Sequence, residues 1–152
     1  MNDKRSYAPS AWTICRIGRR FQSFLDSRAA EFGVTSAQVP LLTYLWEGNE
    51  GHTQNEIAKA LGVDKGTVSR NVATLVRRGL VTQRSSRYDS RACVVSLTPE
   101  GERLAAPIAQ ITEEWCGAVS SELGSDGFSA WTATLDRVDA TASQLLAEGS
   151  AF

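Results

Sequence analysis

Residues 53–98 constrain the fold of this chain more than any other stretch. They read TQNEIAKALGVDKGTVSRNVATLVRRGLVTQRSSRYDSRACVVSLT. Apolar residues recur at helical spacing in two segments separated by Gly62, and glycine readily takes the left-handed conformation that ends a helix. After Gly79, segments 80–84 and 92–97 have strand periodicity and flank a polar loop. The stretch therefore predicts two helices joined by a tight turn, followed by a β-hairpin.

The second of these helices has one face for packing and one for binding. At about 100° per residue, Val68, Val72 and Leu75 share the buried side. Small, polar and basic residues lie on or beside the opposite side: Gly66, Thr67, Ser69, Arg70, Ala73, Thr74 and Arg77. Such side chains suit the major groove of duplex DNA, where arginine pairs with guanine. We interpret the stretch as a helix-turn-helix with a wing; an ordinary solvated helix is the alternative.

Size and composition agree with a small DNA-binding module that carries extra dimerisation helices. The chain has 152 residues, 42% of them hydrophobic, and four prolines, which favours a folded, helix-rich protein. Its cysteines, Cys15, Cys93 and Cys116, are odd in number and form no C-x-x-C pair, which predicts free thiols in a reducing compartment. No signal peptide and no apolar run of about 18 residues is recognisable. We therefore expect a cytoplasmic protein without a membrane span.

The formal net charge of −1 conceals a strong segregation of charge. Residues 64–91 contain seven basic and two acidic residues, a local net of +5, whereas residues 92–152 contain two basic and nine acidic residues, a local net of −7. A basic module joined to an acidic remainder is typical of a protein that binds phosphate with one surface only.

Helices are also predicted before the central stretch. The first covers about residues 10–32, ends at Gly33, and has a stripe of apolar side chains: Ile14, Ile17, Phe21, Phe24 and Leu25. Cys15 lies off this stripe, with Trp12 and Arg19, so it is either partly exposed or covered by a second surface. Capping boxes of Thr35 with Gln38 and of Thr53 with Glu56 predict two further helix starts, and Asp64 is placed to cap the next helix. The single histidine, His52, is expected to be a surface or capping residue.

The C-terminal third reads as two more helices. In the last strand, one face carries Cys93, Val95 and Leu97, which alternate with Ala92, Val94 and Ser96, so we expect a packed cysteine there. Thr98, Pro99 and Glu100 then form a helix start, and Pro107 should bend this helix before Gly124 and Asp126 break it. A final helix carries apolar residues at three- and four-residue spacing: Phe128, Trp131, Leu135, Val138, Ala142 and Leu145.

So much apolar surface on a terminal helix needs a partner, either its own domain or a second copy. We favour a two-fold dimer built from both terminal regions, because the first helix also lies outside the DNA-reading module. This divides the chain into an N-terminal dimerisation helix (1–34), the winged helix-turn-helix (35–98) and C-terminal dimerisation helices (99–152).

Two motifs connect the chain with a known family. The run DKGTVSRNVATLVRRGLV is followed by RSSRYDSRACVVSLTPEG, which contains Asp89-x-Arg91 and then Leu97-Thr98-Pro99-Glu100-Gly101. This resembles the MarR family of winged-helix transcriptional regulators, over nearly the whole chain. The resemblance implies a homodimer on pseudo-palindromic duplex DNA, with residues 64–78 as the recognition helix in the major groove. It also implies that Arg91 enters the adjacent minor groove while Asp89 holds the wing in shape.

The residues predicted to contact DNA come from the helix-turn-helix and its wing: Thr53, Gln54, Lys65, Gly66, Thr67, Ser69, Arg70, Ala73, Thr74, Arg77, Arg84, Arg87, Asp89 and Arg91. The physical argument agrees with the resemblance for Arg91, because an arginine on a thin hairpin can enter a narrow groove of negative potential.

Family members commonly release DNA when a small aromatic acid or phenol binds between the dimer region and the DNA module, or when a cysteine is oxidised. Candidates for such a site are Trp12, Cys15, Phe21, Tyr44, Trp46 and Trp115. Aromatic residues at helical spacing are more often core residues, so packing is the alternative for these.

Cys15 is the candidate for oxidation, because the peroxide-sensing branch has its reactive cysteine in the first helix. It lies about one helical turn nearer the motif Leu45-Trp46-Glu47 in the second helix than the sensing cysteine does, however, and Ser36 and Val39 replace the tyrosines of that branch. An inert thiol is therefore the stronger interpretation. A zinc-responsive site is not expected from one histidine.

These features predict a sequence-specific repressor released from its operator by a small aromatic ligand or by cysteine oxidation. The alternative is a winged-helix module that contacts protein or RNA without an effector response. An enzyme is not expected, because the sequence has no nucleophile with a base, no H-E-x-x-H motif and no phosphate-binding glycine loop. No cofactor or metal is expected either.

Overall fold

The computed structural model describes residues 8–48, 51–85 and 93–149. The chain divides into two compact units, Met1–Ile111 and Thr112–Phe152. The described residues are mostly helical and include a small antiparallel sheet of three strands. This confirms the predicted fold class. The predicted three-part division into dimerisation and DNA-binding segments stays a prediction.

Helix α1 covers Ala8–Ala29 and continues as a 3₁₀ turn, Ala30–Phe32, which ends at Gly33 with a φ of 64°. Its predicted end is confirmed. Helix α2, Val39–Glu47, begins later than the capping box predicted, because residues 36–38 form a turn first. One half of that box exists: the side-chain Oε1 of Gln38 accepts a hydrogen bond from the main-chain N–H of Thr35 at 3.1 Å.

The helix-turn-helix forms as predicted. Strand β1, His52–Thr53, leads into α3, Gln54–Leu61, where Thr53 and Glu56 form a complete capping box. Gly62 ends α3 with a φ of 64°, and α4 covers Lys65–Arg77. The side chains of Thr53 and Glu56 satisfy main-chain N–H groups at the start of α3, and Gly62 bonds to main-chain carbonyl groups at its end.

The sheet has the order β1-β3-β2, with β2 at Val81–Ser85 and β3 at Cys93–Leu97. The hairpin strands are confirmed, but β1 was not predicted, because two residues show no periodicity. Val95 in the middle of β3 lies opposite both His52 and Gln83 and is fully buried. The prediction of a packed Cys93 was wrong: it is exposed, because it pairs with Ser85 at the end of the hairpin, beyond the reach of the core.

One hydrophobic core joins the helix-turn-helix to α1, to the strands and to the first turns of the last helix. It contains these buried residues: Leu25, Ala29, Val34, Val39, Leu41, Leu42, Leu45, Ile57, Val68, Val72, Leu75, Leu80, Val81, Val95, Ala105, Ile108 and Ile111. Phe21 and Phe24 pack against it, whereas Ile14 and Ile17 of the predicted stripe are 56% and 46% exposed. The first half of α1 thus lies beyond the part that packs on this core.

The last helical stretch, α5, covers Pro99–Gly149. Thr98 caps its start, since the Oγ1 atom accepts a hydrogen bond from the N–H of Gly101 at 3.0 Å. Pro107 lies inside the helix, and the predicted break at Gly124 is confirmed by its non-helical φ of 70° and ψ of 168°. The bend expected at Pro107 stays a prediction.

Gly101 lies at a close contact between α5 and Leu80, the residue before β2. A Cβ atom at this position would lie 1.9 Å from the main-chain oxygen of Leu80, a distance that no real atom pair tolerates. The contact joins the start of α5 to the start of β2 without an intervening side chain. Position 101 therefore requires glycine for space and not for backbone conformation.

Gly101→Ala is expected to lower the free energy of unfolding by about 1–3 kcal/mol, the usual cost of forcing atoms into a packed site. Gly18→Ala is the matched control: nothing lies within 4 Å of a Cβ at that helical position, so it should raise the free energy by roughly 0.5–1 kcal/mol. Urea unfolding followed by circular dichroism measures both. Equal stabilities for the two variants would contradict the close approach.

Candidate DNA-binding surface

The start of α4 is held by Asp64 and Thr67. The Oδ1 atom of Asp64 accepts a hydrogen bond from the N–H of Thr67 at 2.8 Å, and Oδ2 accepts one from the Thr67 hydroxyl at 2.5 Å. These bonds lower the pKa of Asp64 below its ordinary value, the hydroxyl bond first and the N–H bond second. The carboxylate thus stays charged at the positive end of the helix.

Two arginines extend from the exposed face of α4, each bonded to a threonine three residues earlier. Arg70 Nη2 donates to Thr67 Oγ1 at 2.9 Å, and Arg77 Nη2 donates to Thr74 Oγ1 at 3.1 Å. The arginines are seven residues apart, which places them on one face about 10.5 Å apart along the helix axis. Both guanidinium groups are therefore oriented by their own helix and still exposed.

Glu56 at the start of α3 has a lowered pKa for a similar reason. The main-chain N–H of Thr53 donates to Glu56 Oε2 at 2.7 Å, and the Thr53 hydroxyl donates at 2.9 Å. The N–H bond has the larger effect on the pKa. This carboxylate serves the capping box at the start of α3.

The structure places the remaining described candidates at the predicted helix starts, on α4 and on the hairpin. Lys65, Gly66, Ser69 and Ala73 are exposed on α4. Thr53 and Gln54 are half-buried at the start of α3, and Arg84 is exposed on β2. Three candidates in the wing lie outside the described residues: Arg87, Asp89 and Arg91.

A cleft of about 290 Å³ opens beside the recognition helix. Its lining comes from α1, from α2 and the turn before it, from the end of α3 and the turn that follows, and from α4: Phe21, Gln22, Leu25, Ser36, Ala37, Pro40, Leu41, Leu61, Val63, Thr67, Val68 and Asn71. The lining is mainly apolar and contains no charged side chain. A short hydrogen bond joins the side chains of Gln22 and Ser36.

Of the six residues proposed for an effector site, Phe21 alone lines this cleft. Trp12 is 68% exposed, Cys15 and Trp46 are exposed, and the ring of Tyr44 packs against His52 with centroids 4.7 Å apart. Trp115 belongs to the second unit, where it is half-buried. The sequence showed no sign of Gln22 or Asn71, because a cleft formed by several helices has no local pattern.

Within residues 8–48, 51–85 and 93–149, no three His, Cys, Asp or Glu side chains are grouped as metal ligands would be. Over the same ranges, every helix is too short or too polar to cross a bilayer.

This helix-turn-helix with its β-hairpin and its exposed arginine face defines a winged helix-turn-helix protein. Residues 32–92 match the family model described as MarR family. The HTH-type transcriptional regulator BilQ of Clostridium symbiosum (strain WAL-14163) is 27% identical over 103 residues, which cover 68% of this chain and 71% of BilQ. The S. aureus MepR–DNA complex aligns with a TM-score of 0.80 at 26% identity, covering 88% of this chain and 97% of MepR.

A third relative shows the fold alone, because its identity is 20%. It is a putative MarR family transcriptional regulator from Listeria monocytogenes complexed with 26mer DNA, with a TM-score of 0.81 over 95% of this chain and 91% of that protein. Together these matches confirm the resemblance seen in the sequence. Residues 32–92 carry the match to the MarR family, and the chain is similar to transcriptional regulators of that family.

The lowered pKa of Asp64 predicts an acid-sensitive helix start. A lowered pKa contributes stability above the ordinary value of 3.8, and this contribution is lost as the pH falls through the lower folded value. Asp64→Ser keeps a neutral cap, so its stability should fall less than that of the wild type as the pH decreases from 5 to about 2.5. Urea midpoints at each pH measure the difference.

Asp26→Ser is the control, because it removes an exposed negative charge from α1 and leaves the α4 start intact. Parallel stability curves for the wild type and Asp64→Ser would show that the hydrogen bonds from Thr67 do not affect the titration.

Proposed function

We propose that the chain is a sequence-specific repressor that binds a pseudo-palindromic operator as a homodimer and is released by a small aromatic ligand. The part of this proposal that concerns DNA recognition rests on two arginines of α4, Arg70 and Arg77. Their helix buries one face completely and presents the other, so the guanidinium groups are held in place without being covered. Arginine forks of this kind match the O6 and N7 atoms of guanine.

The dimensions and charge of the module support a major-groove contact. The 13 residues of α4 span about 20 Å, and Gly66 and Ala73 allow close approach on its exposed face. The net charge of +5 over residues 64–91 supplies attraction to phosphate. On the resemblance to the family, we assign the minor-groove contact to Arg91 and the support of the wing to Asp89. We assign phosphate contacts to Arg84 and Arg87.

The homodimer is supported by apolar side chains that are exposed in a single chain. They occur in the first half of α1 and again in α5: Trp12, Ile14, Ile17, Leu123, Leu135, Val138, Leu145 and Leu146. Exposed apolar surface of this extent marks an interaction site. A two-fold pairing of the terminal helices would cover it and place two recognition helices on one operator.

The cleft beside α4 is the proposed effector site. Its apolar walls suit an aromatic ring, while the amide and hydroxyl groups of Gln22, Ser36 and Asn71 can bond to a phenol hydroxyl. No charged side chain lines the cleft, so a carboxylate would lose its hydration without gaining a cation. We therefore favour a neutral phenol over an aromatic acid.

Thr67 links the cleft to DNA binding. It lines the cleft and also holds Arg70 and the cap of α4 through its hydroxyl. A ligand that displaces Thr67 would release Arg70 from its position. Oxidation of Cys15 is the alternative route of release, and its thiol is exposed. We place this regulation in the cytoplasm, where the free thiols and the duplex DNA would both be found.

Three arginine variants test the DNA contact. Arg70→Ala should relax base preference, with a loss of about 1–3 kcal/mol for the preferred site. Arg91→Ala should abolish specific binding and leave the dimer folded. Arg84→Ala should weaken binding to all sequences alike and lower the salt slope by about one. Footprinting and salt-dependent titrations on DNA flanking the gene measure these effects.

Arg20→Ala on α1 is the control for loss of an exposed cation outside the module. Unchanged operator affinity in both Arg70→Ala and Arg91→Ala would overturn the assignment, and equal affinity for a matched RNA duplex would favour an RNA-binding module instead.

Filling the cleft should abolish the ligand response. Ala37→Phe places a ring in the cleft, so operator release by phenols should need at least about tenfold more ligand while DNA affinity stays unchanged. Ala30→Phe, on the exposed 3₁₀ turn, is the matched control. An unaltered response in Ala37→Phe would exclude this cleft. In the same assay, equal sensitivity of wild type and Cys15→Ser to an organic hydroperoxide would exclude oxidation of Cys15 as the route of release.

A further inference from the structure

Arg77 and Arg78 are adjacent in the sequence but have different environments. Arg77 bonds to Thr74 on its own helix. Arg78 Nη1 instead donates to the main-chain oxygen of Gly33 at 2.8 Å, across a separation of 45 residues. Arg78 thus joins the end of the recognition helix to the end of α1.

The acceptor is well suited to a cation. Gly33 ends the helical segment that begins with α1, where its own N–H donates to the oxygen of Ala30 at 3.0 Å. Carbonyl groups at a helix C-terminus carry the negative end of the helix dipole. A hydrogen bond from a charged guanidinium to such a carbonyl is stronger than a bond between neutral groups.

The turn after α4 is also held from its other side. The hydroxyl of Thr98 donates to the oxygen of Gly79 at 2.7 Å, and the N–H of Thr98 donates to the oxygen of Leu80 at 3.0 Å. Residues 78–80 are therefore bonded to the end of α1 and to the start of α5. The C-terminal end of α4 cannot shift without breaking one of these bonds.

We propose that Arg78 is a positioning residue for DNA recognition, which sets the orientation of α4 through its bond to Gly33 and does not itself contact DNA. This rests on the proposed function of α4. Base contacts require placement within about 0.5 Å, whereas contacts from long cationic side chains to phosphates tolerate more movement. Loss of the bond should therefore weaken binding to the operator and leave binding to other sequences unchanged.

The first test is salt-dependent binding by Arg78→Ala. Its operator affinity should fall about three- to tenfold, as for the loss of one exposed, charge-assisted hydrogen bond. Its affinity for a scrambled duplex and its slope of log K against log salt should match the wild type. Arg84→Ala, the proposed phosphate contact, is the control in which both affinities fall and the slope decreases by about one.

The second test detects the bond in the protein without DNA. The peptide group that contains the Gly33 oxygen also contains the N–H of Val34, so the ¹⁵N chemical shift of Val34 reports on this carbonyl. It should change in Arg78→Ala and stay constant in Arg77→Ala, which removes an equal charge from the neighbouring position.

Each of three results would overturn the proposal: an unchanged Val34 shift, an unchanged operator affinity, or a salt slope that falls as in Arg84→Ala. A wild-type chain without operator preference would overturn the proposed function and this proposal with it. If the wild type prefers its operator but Arg78→Ala has a lower slope of log K against log salt than the wild type, this proposal alone would be overturned.

Discussion

The burial of one side of α4 is the constraint on which the rest of the molecule depends. A helix of 13 residues is marginal in water on its own. Val68, Val72 and Leu75 are essentially inaccessible to solvent, and each contributes about 1.5–3 kcal/mol by leaving water. This contribution allows the other side to carry arginines, small residues and hydroxyl groups, none of which would hold a helix in place. Packing uses one face of the helix, and the arginines proposed to contact DNA lie on the opposite face.

The same helix forms one wall of the cleft, which makes its packing incomplete on that side. In the proposed function, effector binding and DNA binding would involve one element, and their coupling would be reciprocal: a ligand that weakens DNA binding must itself bind less tightly to the DNA-bound form. The size of the effect is limited by the difference in ligand affinity between the two forms. Such a difference would arise in the lining of the cleft, which includes Thr67, a residue that is also part of the start of α4.

Local chemistry predicted local structure well. The capping box of Thr53 and Glu56, the cap at Asp64 and the two faces of α4 were all predicted, because each depends on residues within one or two turns. Cys93 was placed wrongly, since strand alternation shows which side faces inward and not where the core ends. The bond between Arg78 and Gly33 and the cleft were not visible at all, because they join segments that are distant in the sequence. The contacts of the wing and the dimer stay predictions.

The motif Leu97-Thr98-Pro99-Glu100-Gly101, which pointed to the family, has a structural explanation. Thr98 caps α5 and bonds to the turn after α4, Pro99 begins the helix, and Gly101 gives the Leu80 oxygen the space it occupies. The contacts described for Thr98, Pro99 and Gly101 are all within the fold. A chain that had lost every arginine on α4 could keep this motif intact and still be assigned to the family. Family membership inferred from this motif reports a shared architecture. The DNA sequence that a protein binds can change while the motif stays the same.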